Sequence, residues 1–194
     1  MDKEEIIQKA KEYIERLFAG NADGHDAQHT LRVCQNARFL LESCPEADAF
    51  VVLLAALLHD ADDYKLFRTE NNENARAFMR EQGIPEETAD TVCETINMVS
   101  FSKNRGKRPE TPEGKIVQDA DRLDALGAVG IARTFAYGGK AGRPLEDSIR
   151  HFYEKLFLLK DEMNTDAAKQ IAARRHAYME AFIREYDSET GKKG

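Results

Sequence analysis

Three short stretches hold three of the chain's five histidines and a cluster of its aspartates: GHDAQHTLRV, LLAALLHDADDY and IVQDADRLDALGA. The first offers His25 and His29. The second offers His59, Asp60, Asp62 and Asp63, and the third offers Asp119, Asp121 and Asp124. Neutral imidazoles and carboxylates on rigid elements are ligands for divalent cations in hydrolases, where the cation activates water and shields phosphoryl charge.

Spacing sorts these donors in part. His25 and His29 stand four residues apart and share a face where both are helical. His29, set inside the helix, is the expected ligand. His25, beside Gly24, is placed to orient neighbours or touch substrate. His59 and Asp60 are adjacent, about 100° apart on an α-helix, and do not ordinarily share a face. They can meet at one ion only over the shoulder of a helix buried on most of its circumference. The apolar run from Val51 to Leu58 describes such a helix. Asp63, one turn beyond His59, could reach a water beside the ion without being a ligand. In the third stretch Ile116, Val117, Ala120, Leu123 and Gly127 define an inward stripe. Asp124 is its most inward carboxylate. Asp119 and Asp121 flank it at similar angles, and periodicity does not choose between them.

The elements that must position these groups read as helices. Ile6, Ile7, Ala10, Ile14, Leu17 and Phe18 form one stripe; Cys34, Ala37, Leu40 and Leu41 a second; Ala89, Val92, Cys93, Ile96 and Val99 a third; Ile171, Met179, Phe182, Ile183 and Tyr186 a fourth. Breaks fall at AGNADG, SCPEAD, QGIPEE and NRGKRPETPEG, the last closing with Thr111 as an N-cap and Pro112 at the first helical position. AYGGKAGRP (136–144) is the longest glycine-rich stretch. No segment alternates with a period of two. The expectation is one all-α domain of about eight helices.

Composition bounds the partners. The 194 residues are 42% hydrophobic and 32% charged, with a net charge of −7. This favours one domain with a sizeable core and disfavours general binding to nucleic-acid polymers or anionic membranes. Positive charge for an anionic substrate must therefore be local. Three cysteines without CxxC spacing read as reduced thiols, and the amphipathic, acidic MDKEEIIQKA is unlike a signal peptide. A cytoplasmic location is expected.

His29, His59–Asp60 and Asp121 within DADRLDALGA resemble the H…HD…D signature of HD-domain metal-dependent phosphohydrolases. GHDAQHTLRV, LLAALLHDADDYKLF, SFSK, IVQDADRLDALGAVGIARTFAYGG and HFYEKLFLLKDEMNT resemble, in order, blocks of a bacterial subgroup of small, pyrophosphohydrolase-like HD proteins. The resemblance implies an orthogonal helical bundle as a single domain over residues 1–190. Its metal-site core spans about 24–130, and C-terminal helices over about 145–187 pack on it. It assigns the fourth ligand to Asp121. It also implies one divalent metal, Mn²⁺ or Mg²⁺, with Fe²⁺, Co²⁺, Ni²⁺ and Zn²⁺ as other options. Only His151 and His176 remain for a second site, so none is expected. Asp63 sits where such enzymes place an acidic residue for proton work. Asp124 is a second candidate, or an orienter of a histidine. The Glu-Asp pair of guanosine-tetraphosphate hydrolases is not reproduced.

The implied activity is metal-dependent hydrolysis of a phosphate ester or anhydride. A nucleotide is the foremost substrate, cleaved by a nucleoside triphosphate pyrophosphohydrolase or by a nucleotidase or phosphodiesterase. The alternative is a non-catalytic metal-containing ligand-binding or regulatory module. Phosphate also calls for protein cations. Lys103, with Arg105, Lys107 and Arg108, lies on one loop. Arg32 shares the face of His29 and could touch a carboxylate or the substrate. Arg133, Arg143 and Lys155 fall within the family-like blocks and are further substrate-binding candidates. Phe101 or Tyr64 could stack on a base, and FYEKLFLL reads as core. The partner is a small phosphorylated molecule, with a homodimer left open.

Overall fold

The structure is a computed structural model that describes residues 2–20, 26–64, 66–101 and 103–191. Among them lie nine α-helices and one 3-10 helix, with no strand. The helix starts follow capping chemistry. Asp2 caps α1 (Lys3–Leu17), Asp26 caps α2 (Ala27–Leu41) and Asp48 caps α3 (Ala49–Leu58), each accepting from backbone N–H groups of the first turn. Short α4 (Glu73–Glu81) and α5 (Glu86–Asn97) follow. Thr111 caps α6 (Pro112–Asp124) by accepting from the Gly114 N–H, with proline at the first position as the sequence predicts. Next come α7 (Gly127–Lys140), α8 (Leu145–Glu154), a 3-10 helix (Leu156–Glu162) and α9 (Asp166–Glu189), the last capped by Thr165.

The apolar run forms the hub. Every residue from Phe50 to Leu58 is buried, so α3 has no solvent face. It packs against α1, α2, α5 and α6. Residues such as Leu54, Leu57 and Leu58 are fully enclosed, and burial of each stabilises by about 1.5–3 kcal/mol. Around this hub α2 lies along both α3 and α6. A second layer of α7, α8, the 3-10 helix and α9 packs together and joins the first through α6. The three cysteines are free thiols. No helix among the described residues is long and apolar enough to cross a membrane.

Two elements differ from the sequence expectation. The helix count exceeds eight because α4 buries only Ala75, Phe78 and Met79, a stripe too short to stand out, and because the 3-10 turn has no α periodicity. The glycine-rich break at 136–144 begins later than expected, since α7 continues through Gly138 and Gly139 to Lys140. Gly138 belongs there for space. A Cβ on it would collide with the Ser148 hydroxyl where α7 meets α8.

Candidate metal centre and its pocket

The hub helix stops where the chemistry begins. His59 is the C-cap of α3, and the chain continues in tight turns with bonds from Ala61 N–H to Leu58 O and from Asp63 N–H to Asp60 O. The expected helical relation of His59 to Asp63 is thus replaced by a turn. This turn, rather than a helix shoulder, lets His59 and Asp60 point one way. It is anchored from outside: Asp62 accepts from the Asn74 and Ala75 N–H groups, and Asn74 Nδ2 donates to Ala61 O.

Single ligand atoms of His29 on α2, His59 after α3 and Asp121 on α6 all lie within 4.8 Å of one another. His29 Nε2 is 3.4 Å from Asp121 Oδ1 and 3.5 Å from Asp60 Oδ2. His59 Nε2 is 3.5 Å from Asp60 Oδ1 and 3.8 Å from Asp121 Oδ1. Asp60 therefore turns one oxygen toward each imidazole. Asp119, which spacing could not separate from Asp121, lies elsewhere. It is fully buried and accepts four bonds, from the backbone and side chains of Asn164 and Thr165. Burial pushes its carboxyl up, partly offset by those bonds.

Both imidazoles turn Nε2 toward Asp60 and Asp121. His59 Nδ1 lies 2.8 Å from the Ala56 carbonyl, which can only accept, so the ring proton sits there. Its Nε2 is buried and has no hydrogen-bond partner. His29 Nδ1 lies 2.7 Å from Asp124 Oδ2. An orphaned buried imidazole nitrogen facing two carboxylates and a second imidazole is a donor set that fits a divalent cation. Without a cation, burial disfavours charge on His29, but Asp121 and Asp124 outweigh it and lift the imidazole to about 9. Burial likewise opposes charge on Asp121, yet His29 and His59 hold it below the usual carboxylate range.

Asp124 corrects one expectation. It is 3% exposed and surrounded by donors: His29 Nδ1, Arg32 Nε at 2.7 Å, Arg32 Nη2 at 3.1 Å and Arg133 Nη1 at 2.7 Å. Burial would raise its pKa, but these partners pull it well below the carboxylate range. Asp124 lies outside the cavity lining and against His29, the place expected of a histidine orienter and not of a group that moves a substrate proton. Of the two partners expected for Arg32 the structure shows the carboxylate: its guanidinium bonds Asp124 and does not line the pocket, which removes it from the substrate-binding candidates. His25 lies outside the described residues.

The donors open into a cavity of about 390 Å³. Asp63, Lys103, Arg133, Arg143 and Lys155 line it. Lys103 sits 5.8 Å from the Tyr64 ring, Lys155 5.0 Å from Phe101 and Arg143 4.9 Å from Tyr137. Of the other basic loop residues, Arg108 donates to the Met163 and Asp161 carbonyls and braces the second layer. Sequence reasoning missed His151, Thr134, Asn72 and Asn97 on the walls. The signal for His151 was present: it stands four residues before Lys155, one helical turn away. Burial first, then Lys155 and Arg143, push its pKa down, and Glu154 opposes them.

With this geometry in hand, the comparisons define the class: the HD domain family matches residues 26–126, and the chain belongs to it, a metal-dependent hydrolase of the HD superfamily. It is 39% identical to Bacillus subtilis YpgQ over 191 residues, 94% of this chain and 92% of the relative. A crystal structure of YpgQ in complex with ADP superposes with a TM-score of 0.80 at 36% identity, covering 94% of this chain and 97% of that one. A Bacillus thuringiensis HD-superfamily hydrolase superposes with a TM-score of 0.79 at 40% identity, covering 99% of this chain and 100% of that one.

Proposed function

We propose that the chain hydrolyses a nucleotide phosphoanhydride or ester, foremost a nucleoside triphosphate with release of pyrophosphate, using a single Mn²⁺ or Mg²⁺ held by His29, His59, Asp60 and Asp121. The observation that carries this reading is the pairing of that donor set with a wall of Arg133, Arg143, His151 and Lys155 in one cavity. The complex of the relative YpgQ with ADP supports a nucleotide as the ligand.

A bound divalent cation would supply Lewis acidity, lowering the pKa of a water and neutralising phosphoryl charge. The chain's own residues do the rest. Asp124 and the Ala56 carbonyl accept from Nδ1 of His29 and His59, which turns both Nε2 atoms toward Asp60 and Asp121. Asp62 and Asp63 both line the cavity beside the donors, and Asp62 accepts from the start of α4. Asp63 is therefore assigned to orient the attacking water and accept its proton. Arg133, Arg143 and Lys155 hold phosphate oxygens. His151, whose pKa burial and then Lys155 and Arg143 lower, takes up a proton as phosphate charge arrives. The net negative charge and the walled cavity favour a small substrate over a nucleic-acid polymer.

A panel of nucleotides incubated with Mn²⁺ or Mg²⁺, with products read by mass, tests the reading. Pyrophosphate and a nucleoside monophosphate are expected from at least one triphosphate, with loss beyond about a thousandfold in Asp60→Ala. Stoichiometric metal binding with no turnover of any phosphate compound would instead make the chain a ligand-binding module.

A further inference from the structure

The cavity is chemically two-sided. The α7–α8 wall carries its guanidinium groups, Lys155 and His151, while Asn72 and Asn97 stand on a wall contributed by the α4 start and the end of α5. The two amides are joined: Asn72 Nδ2 donates to Asn97 Oδ1 at 3.2 Å.

Asn72 occupies the N-cap position of α4, where an asparagine side chain ordinarily accepts from the second or third helical N–H. Here it makes no such bond. Asp62 takes over that duty by accepting from Asn74 and Ala75, the second and third residues of the helix. Asn71 and Asn72 also adopt left-handed backbone, with φ of 54° and 58°. Among non-glycine residues asparagine bears this conformation best, yet two in succession still carry strain. The fold thus supplies a substitute cap and holds an uncommon backbone, and both leave the Asn72 amide turned away from its own helix.

The amide is fixed on its nitrogen side. It faces the Cys93 thiol, whose pKa burial raises while Arg76 and Asn72 restrain it. Asn97 is pinned through its backbone, where its carbonyl accepts from Asn104 Nδ2 at 2.9 Å. What remains is one acceptor, Asn72 Oδ1, and one donor, Asn97 Nδ2. Two amides linked by a single N–H···O bond present such a pair whichever way they are turned together. Tyr64 and Phe101 line the same cavity, with Lys103 over the first ring and Lys155 over the second.

We infer that the Asn72–Asn97 pair is the nucleoside-recognition element of this pocket. It engages a neighbouring donor and acceptor on the base edge or ribose while the phosphates lie against the cationic wall. The assignment rests on the nucleotide reading above. It makes both asparagines specificity determinants and gives neither a part in bond cleavage.

Calorimetric titration of the Mn²⁺-loaded protein with ADP and with pyrophosphate tests it, in wild type, Asn72→Gly and Asn97→Asp. Glycine keeps the left-handed backbone and removes the amide. Aspartate keeps the acceptor for Asn72 and removes the donor. Each variant is expected to weaken ADP about tenfold or more and leave pyrophosphate within about twofold. Comparison with dADP, GDP and UDP then assigns the contact to ribose or base. Equal weakening of ADP and pyrophosphate, or no weakening of either, overturns the inference. So does a wild-type protein that binds ADP no more tightly than pyrophosphate. The hydrolase reading fails separately: selective loss of ADP binding without turnover of any triphosphate would retain the recognition pair and remove the reaction.

Discussion

Asp124 shows how a residue with no substrate contact governs the centre. Its carboxylate meets His29 Nδ1 and two guanidinium groups, so Asp124→Asn weakens the imidazole's orientation and basicity together. Mn²⁺ affinity is expected to fall about 10–100-fold, read by titration of the purified variant; unchanged affinity would remove Asp124 from the ligand-orienting role. His151 yields a second residue-scale prediction. Its pKa is lowered from the ordinary 6.5. The neutral form is thus favoured by the fold, and that contribution to stability is present above 6.5 and fades as pH falls through the folded-state value. The imidazole resonance should titrate below 6.5 in the free protein and move upward on adding pyrophosphate. A midpoint that ignores pyrophosphate would place His151 away from the phosphates. At this scale the sequence was informative about donor types and silent about their competitors. Asp119 and Asp121 look equivalent by angle, and only Asn164 and Thr165, some 45 residues away, take Asp119 out of contention.

Among the elements, the apolar run Val51–Leu58 was legible as a helix enclosed on all sides, and α3 is that helix. The turn that ends it was not legible, because its anchor is the start of α4, reached through Asp62. The glycines at the end of α7 were misleading for a related reason: Gly138 and Gly139 read as a break, yet Gly138, like Gly130 earlier in the helix, permits close approach. A Cβ on Gly130 would collide with the Ala125 carbonyl, and one on Gly138 with Ser148 Oγ, whereas Gly139 has open space. Gly130→Ala is expected to cost about 2–3 kcal/mol in urea unfolding, because backbone cannot step aside. Gly139→Ala should stabilise by about 0.5–1 kcal/mol through helix propensity alone. Gly138→Ala should be destabilising and partly rescued by Ser148→Ala, since the obstacle is a side-chain hydroxyl. Equal effects at all three positions would contradict this account of α7.

Across the whole molecule, the donors come from α2, the end of α3 and α6, while the cationic wall comes from α7 and α8. One layer supplies the candidate ion ligands and the other most of the cavity's basic side chains, and α6 packs against both. The first half of that arrangement could be read from the H…HD…D pattern. For the second, the family-like blocks offered Arg133, Arg143 and Lys155 as candidates, but His151 and the meeting of this wall with the donors depend on tertiary packing. A cation that joins three helices binds the folded chain and not the unfolded one. At a hundred times its dissociation constant Mn²⁺ should therefore stabilise by about 2.7 kcal/mol, seen as a raised Tm that chelator reverses and His59→Ala abolishes.

The central claim is that His29, His59, Asp60 and Asp121 close on one divalent ion. Anomalous diffraction from crystals grown with Mn²⁺ tests it most directly. The account predicts a single strong peak in this chain, about 2.1 Å from Nε2 of both histidines and from an oxygen of each aspartate. A peak at any other position, or none there at saturating Mn²⁺, would contradict it.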